Sequence, residues 1–123
     1  MLLNNTKQMS VEMLKEIREA EYKLENENHS IYELCVLHNN IATMYHDIGN
    51  RIKTIEHFER LLQYNTTVAD VYNNLYCLYR EERNYKKALE YALDSFRLGQ
   101  TEISYKNLAD LYFYMKDYKK SVF

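Results

Sequence analysis

Apolar residues recur at the spacing of an α-helix along almost the whole chain. In residues 10–26 they form one stripe, which consists of Val11, Leu14, Ile17, Ala20 and Leu24. Spacings of three and four residues place these side chains on one face of a helix. The same pattern predicts further helices at about 30–48, 51–64, 68–82, 85–98, 102–115 and from 118 onward. No stretch reads as a strand, so the sequence predicts an all-α fold of about seven helices.

Polar residues and glycines mark the ends of these helices. Ser30 and Glu33 have the spacing of a capping box, in which the serine oxygen accepts a bond from a free backbone N–H and the glutamate reaches back. A second capping start is expected at Thr67–Asp70. Gly49 ends the second helix, as a residue that tolerates positive φ often does. Gly99 marks the stop of the helix predicted at 85–98.

The chain contains an internal repeat with intervals of 34 and then 33 residues. Three columns of the repeat lie in the first helix of each unit: Asn40, Asn74 and Asn107; Ile41, Leu75 and Leu108; Tyr45, Tyr79 and Tyr112. Two columns lie in the second helix: the small residues Thr54, Ala88 and Ser121, and the aliphatic residues Ile55, Leu89 and Val122. Between the helices, the column Asn50, Asn84 and Asp117 provides an N-cap residue. A fixed period of this length indicates stacked units of paired helices.

These units resemble the tetratricopeptide repeat. The resemblance rests on His38, Ile41, Ala42, Tyr45, Thr54 and Phe58 in the first unit, on Tyr72, Leu75, Tyr76, Tyr79, Ala88 and Ala92 in the second, and on Tyr105, Leu108, Ala109, Tyr112 and Ser121 in the third. It implies a right-handed α-α superhelix of antiparallel helices. The units are expected at about 35–68, 69–101 and 102–123, the last incomplete, after a capping helix and the start of the second helix in 1–34.

Two positions depart from the family pattern in a compensating way. Tyr76 stands where the family has a small residue, and Ala92 stands where an aromatic residue is usual. Cores tolerate swaps that conserve volume, so we expect Tyr76 to pack over Ala92. The column Tyr45, Tyr79 and Tyr112 is expected in the core, because aromatic residues at this spacing usually fill interiors.

The asparagine column precedes the aliphatic column by one residue, which is about 100° round the helix. In the geometry of the family, that direction is the concave wall of the superhelix. An amide presents a donor and an acceptor, as a peptide bond does, so a groove that binds an extended peptide is expected there. Its candidate residues are Asn39, Asn40, Asn73, Asn74, Asn107, Arg80, Lys106, Phe113 and Tyr114. The alternative is that the asparagines bond a neighbouring helix or water.

Composition excludes several classes of function. A net charge of −2 gives no basic footprint for nucleic acid, and no apolar run has the length of a membrane span. Cys35 and Cys77 belong to no metal motif, so reduced thiols in a cytoplasmic protein are expected. The histidines lack metal-protease spacing, and His46–Asp47 has no nucleophile partner. The sequence therefore predicts neither an enzyme nor a cofactor.

The sequence predicts a protein-interaction module whose partner is a protein or peptide segment bound in the groove. The asparagine column and the segment NYKKALEYALDSFRLG resemble the peptide-sensing regulators of Firmicutes, the Rap and PlcR-like proteins. The alternative is a self-associating adaptor or a fragment of a larger regulator. Val122 and Phe123 leave apolar surface where a solenoid needs a polar terminal unit, which would make a homodimer through the C-terminal helix.

Overall fold

The computed structural model describes the backbone of residues 2–122 and the side chains of residues 10–116. Within that range the chain forms six helices and no strand. They are α1 (Leu2–Asn26), α2 (Ile31–Asp47), α3 (Arg51–Tyr64), α4 (Ala69–Glu81), α5 (Tyr85–Leu98) and α6 (Glu102–Val122). The predicted all-α class is confirmed.

Side chains cap most of these helices at their N-termini. The Glu33 backbone N–H donates to Ser30 Oγ at 3.1 Å, and the Glu33 carboxylate accepts from the Ser30 hydroxyl and from the Ser30 backbone, so the predicted capping box is confirmed. Asn50 and Asn84 accept from the backbone three residues later at 3.1 and 3.3 Å, so their predicted role as N-caps is confirmed. The predicted cap at Thr67–Asp70 is wrong, because the N-cap residue of α4 is Val68 and no side chain caps it.

The turns after α2 and α4 share one backbone conformation. Gly49 and Arg83 have φ of +82° and +62°, and the next residue of each turn donates to the carbonyl five residues earlier, Asn50 to Tyr45 and Asn84 to Tyr79. This is the Schellman arrangement of a helix C-terminus. Lys116 occupies the matching place in the third unit, where α6 continues as helix.

The prediction of separate helices at 102–115 and from 118 onward is therefore wrong, and α6 spans Glu102–Val122. A non-glycine residue in the left-handed region costs about 1–2 kcal/mol. Lys116 is helical and so does not have this cost. Arg83 has the left-handed conformation, and the turn that it forms lets α5 pack against α4.

The chain divides into two compact units, residues 1–66 and 67–123. In the first unit α2 packs on α1 and α3. Ile17, Ile41 and Tyr45 form its core at the contact of α1 with α2. In the second unit α5 packs on α4 and α6, and α4 also contacts α6.

One cluster of buried residues in the core of the second unit consists of Tyr76, Ala88, Ala92 and Leu111. Tyr76 is fully buried in the same cluster as Ala92, which confirms the predicted exchange of volume. By contrast, the predicted burial of Tyr112 is wrong, since its side chain is 57% exposed. Tyr45 and Tyr79 stack on rings of the second helix of their own units, His57 and Tyr91. In the third unit α6 continues as one helix through the place where a second helix would begin.

Candidate functional site

Asn39 and Asn40 are exposed on α2, beside a groove between α1 and α2. The groove has a volume of about 640 Å³ and lies within the first unit. Its lining residues are Glu16, Glu19, Ala20 and Lys23 from α1, and Leu37, Asn39, Asn40, Thr43 and Met44 from α2. Ala20 and Met44 also pack on the core, so they form an apolar floor below the exposed amides.

The Thr43 hydroxyl in this groove is already engaged, because it donates to the Asn39 carbonyl at 2.9 Å. The side-chain amides of Asn39 and Asn40 have no hydrogen-bond partner within the described part of the chain. A rim of amides above an apolar floor offers hydrogen bonds to a peptide backbone and contact to an apolar side chain.

The asparagines of the second unit differ among themselves. Asn73 Oδ1 accepts two hydrogen bonds, from Ser95 Oγ at 2.7 Å and from Asn107 Nδ2 at 3.1 Å. These hydrogen bonds join α4, α5 and α6. Asn73 and Asn107 therefore bond a neighbouring helix, which is the alternative to peptide binding that the sequence left open. Asn74 is exposed and remains accessible to a ligand.

The remaining candidates lie on α4 and α6 of the second unit. Arg80 is half-buried, with its guanidinium over the rings of Tyr76 and Tyr114. Phe113 meets Tyr114 edge to face, with centroids 6.3 Å apart. Lys106, Phe113 and Tyr114 are exposed. The self-association residues Val122 and Phe123 lie outside the described side chains.

A buried pair of histidines, which the sequence pattern did not predict, joins α2 to α3. His38 Nδ1 and His57 Nδ1 are 3.0 Å apart, and both rings are buried. His57 stacks on Tyr45 at 5.8 Å and His38 on Tyr64 at 5.9 Å. One imidazole must donate and the other must accept, because a bond between two nitrogens needs one lone pair.

The histidine pair lines a second cavity of about 640 Å³, which is rich in charge. Glu21 and Glu25 of α1 and Lys53, Glu56 and Arg60 of α3 contribute to its wall. Burial lowers the pKa of His38 to about 4, and the charge of His57 acts in the same direction. Burial also lowers the pKa of His57, against the attraction of the Glu56 carboxylate. Both imidazoles are therefore neutral at pH 7.

The alignment of the repeat units could have predicted the contact between these two histidines. His38 aligns with Tyr72, and a shift of 34 residues aligns His57 with Tyr91. In the second unit Tyr72 and Tyr91 are in ring contact at 6.1 Å, so the two units fill the same place with different aromatic rings. Extending the columns to residue 57 would have predicted the contact but not its hydrogen bond.

Within the described residues, no cluster of three or more histidine, cysteine, aspartate or glutamate side chains has the arrangement of a metal site. None of the described helices has the length and apolar character needed to cross a membrane. Comparison with known proteins finds no family model that matches the chain and no matching sequence among curated proteins.

Proposed function

We propose that this chain is a protein-interaction module of the tetratricopeptide-repeat type, which binds an extended peptide segment of a partner protein. The observation that carries the proposal is the groove between α1 and α2, where the exposed amides of Asn39 and Asn40 stand above Ala20 and Met44. The right-handed superhelix that the resemblance implies and the cytoplasmic location expected from the cysteine usage are part of this proposal.

Exposed amides bond the backbone of a peptide, so they favour binding of an extended peptide with little dependence on its sequence. Each amide can bond one peptide group, and a net hydrogen bond contributes about 1 kcal/mol, which is roughly a fivefold change in affinity. Asn74 offers the same chemistry in the second unit, while Asn73 and Asn107 have only part of their capacity left. We therefore place the main amide contact of the first unit at Asn40 and that of the second unit at Asn74.

The test is binding of the purified chain to a library of short synthetic peptides, followed by titration of retained peptides with variants. Asn40→Ala and Asn74→Ala are expected to weaken binding roughly fivefold each with an unchanged Tm, since both side chains are exposed. Asn28→Ala, in the exposed loop after α1, is the matched control and should bind as the wild type does. Retention of no peptide, or wild-type affinity in both test variants, contradicts the proposal.

A second candidate function, self-association, is favoured by the surface of α6. Tyr105, Tyr112 and Phe113 are 55%, 57% and 64% exposed, and exposed aromatic clusters mark interaction surfaces. Sedimentation over a range of concentrations tests it. A dimer that is lost in Phe113→Glu supports self-association, and a strict monomer at the highest concentration excludes it.

A further inference from the structure

The charged side chains that line the groove between α1 and α2 all lie on one wall. Glu16, Glu19 and Lys23 of α1 line that wall together with Ala20. The opposite wall consists of uncharged residues of α2, which are Leu37, Asn39, Asn40, Thr43 and Met44. Any preference of this groove for a charged ligand therefore depends on α1.

The charges follow a fixed order along α1. Glu16 and Glu19 are three residues apart and Lys23 follows four residues later, which is the spacing of side chains on one face of a helix. A helix rises 1.5 Å per residue, so Lys23 lies about 10 Å along the axis from Glu16. Ala20, part of the apolar floor, comes between the acidic pair and Lys23. The wall is therefore acidic, then apolar, then basic.

The acidic pair is not neutralised by the protein itself. Glu16 and Glu19 form no ion pair with any described residue, although Lys23 lies one turn beyond Glu19. A pair of the same spacing does form on α3, where Glu56 and Arg60 are 3.4 Å apart. Both carboxylates of the acidic pair are exposed, so they are accessible to a cation from outside.

Exposed charges on a helix often serve only to keep a protein soluble, and an acidic pair alone would indicate nothing more. Here the pair stands beside the apolar floor and opposite the amides of Asn39 and Asn40, in a groove of about 640 Å³. Binding sites combine an apolar surface with a few polar groups that orient the ligand. The groove thus offers a peptide three kinds of contact, of which the acidic pair provides the charged one.

We propose that this groove selects a peptide segment with one arginine or lysine, whose cationic group contacts Glu16 and Glu19 and whose apolar neighbour covers the floor. The inference rests on the proposed function, because it names the kind of peptide that the groove binds. Carboxylates one turn apart suit a guanidinium best, since its planar fork can donate to both. An extended peptide advances about 3.3 Å per residue, so Lys23 disfavours a second cation about three residues away.

The peptide library gives the first measurement, because arginine and lysine should be enriched among the peptides that the chain retains. One retained peptide with a single arginine is then compared with derivatives in which that arginine is replaced by glutamine or by glutamate. Affinity is measured by fluorescence anisotropy with the full chain. We expect the arginine peptide to bind about threefold to fivefold more tightly than the glutamine peptide, as exposed ion pairs allow, and the glutamate peptide to bind most weakly.

Two further derivatives test the position of Lys23. They carry a second arginine three residues before or three residues after the first. One of the two should bind more weakly than the parent peptide, because its second cation faces Lys23. If both bind more tightly than the parent, the order of charges along the groove does not select the peptide and the inference is wrong.

Variants assign the preference to the acidic pair. Glu16→Gln with Glu19→Gln should abolish the preference for arginine over glutamine and leave Tm unchanged, since both side chains are exposed. Binding of the glutamine peptide should stay within about twofold of the wild type. The matched control is Glu27→Gln with Glu82→Gln, which changes the net charge equally at exposed positions outside the groove. It should keep the preference, and so separates a local contact from the field of the whole chain.

The outcomes distinguish this inference from the proposed function. Equal binding of the arginine and glutamine peptides, or a preference that survives in the Glu16 and Glu19 double variant, overturns the inference and leaves peptide binding intact. A preference that the control variant loses to the same extent also overturns it. A chain that retains no peptide overturns both.

Discussion

Lowering the pH from 7 to 5 should destabilise the first unit through its histidine pair. The pKa of His38 is about 4 in the folded chain against an ordinary value of 6.5, so the unfolded chain takes up a proton first as the pH falls. A group whose folded pKa is depressed in this way favours unfolding below its ordinary pKa. The hydrogen bond to His57 opposes uptake of a proton by the folded pair, because a second proton on the accepting ring would leave two N–H donors facing each other.

The size of the effect follows from linkage. With those two pKa values, His38 alone lowers the free energy of unfolding by about 2 kcal/mol between pH 7 and pH 5, and by about 3 kcal/mol once the pH is below 4. His57, whose pKa is also lowered, adds to the loss. His29 acts in the opposite direction, because its pKa is raised through its bond to the Lys23 carbonyl and beside Glu33, so its contribution to stability is lost as the pH rises.

A double variant isolates the pair from every other titrating group. His38→Tyr with His57→Tyr reproduces the rings that the second unit places at Tyr72 and Tyr91. Urea unfolding at pH 7, 6 and 5 should show the loss in the wild type and a much smaller loss in the double variant. His46→Gln, which removes an exposed histidine, should behave as the wild type does.

Two results would refute the reasoning about the pair. One is a wild-type free energy of unfolding that changes by less than about 0.5 kcal/mol between pH 7 and pH 5. The other is an equal loss in the double variant, which would place the titrating group elsewhere in the chain.

Three further predictions concern stability, each measured by urea unfolding at pH 7. Asn73→Ala removes the acceptor of two side chains on α5 and α6 and should cost about 1–3 kcal/mol; the adjacent Asn74→Ala, at an exposed position, should cost less than about 0.5 kcal/mol, and equal costs would contradict the network. Gly49→Ala should lower the free energy of unfolding by about 1 kcal/mol through backbone strain alone, since nothing lies within 4 Å of the added Cβ. Arg83→Gly should relieve similar strain and raise the free energy of unfolding, and a loss of stability in that variant would contradict strain at Arg83. Tyr76→Phe should raise the free energy of unfolding by up to about 1 kcal/mol, because it removes an unpaired buried hydroxyl; a loss above about 1 kcal/mol would mean that the hydroxyl has a partner.

Much of the fold could be read from local pattern. Helix ends at Asn50 and Asn84 followed from residues that bond backbone within one turn, and such bonds depend only on nearby sequence. The burial of Ile41 and Leu75 followed from periodicity, because helical spacing determines which side chains share a face. The exchange between Tyr76 and Ala92 followed from volume in aligned positions.

The candidate site was less accessible to the same reasoning. The sequence placed Asn107 on a ligand-binding wall, whereas its amide bonds Asn73 across two helices. The alignment of Tyr112 with Tyr45 and Tyr79 in the repeat predicted that Tyr112 is buried, but its side chain is exposed. Aligned tyrosines are buried only where the second helix of the unit folds back over them. A second helix can fold back only if the turn before it has a residue with positive φ. Whether Lys116 adopts that strained conformation depends on tertiary packing and not on the neighbouring sequence alone.

The amino-acid sequence alone determined that this chain is helical, where most helices begin and end, and which stripe of each helix turns inward, because those properties arise from bonds and spacings within a few residues. Only the tertiary structure decided that two imidazoles share a hydrogen bond between α2 and α3, and that a guanidinium lies between two tyrosine rings beside an unpaired hydroxyl. Such contacts depend on how helices rotate and approach one another. That geometry is set by the close packing of many side chains at once and by no single segment of the sequence.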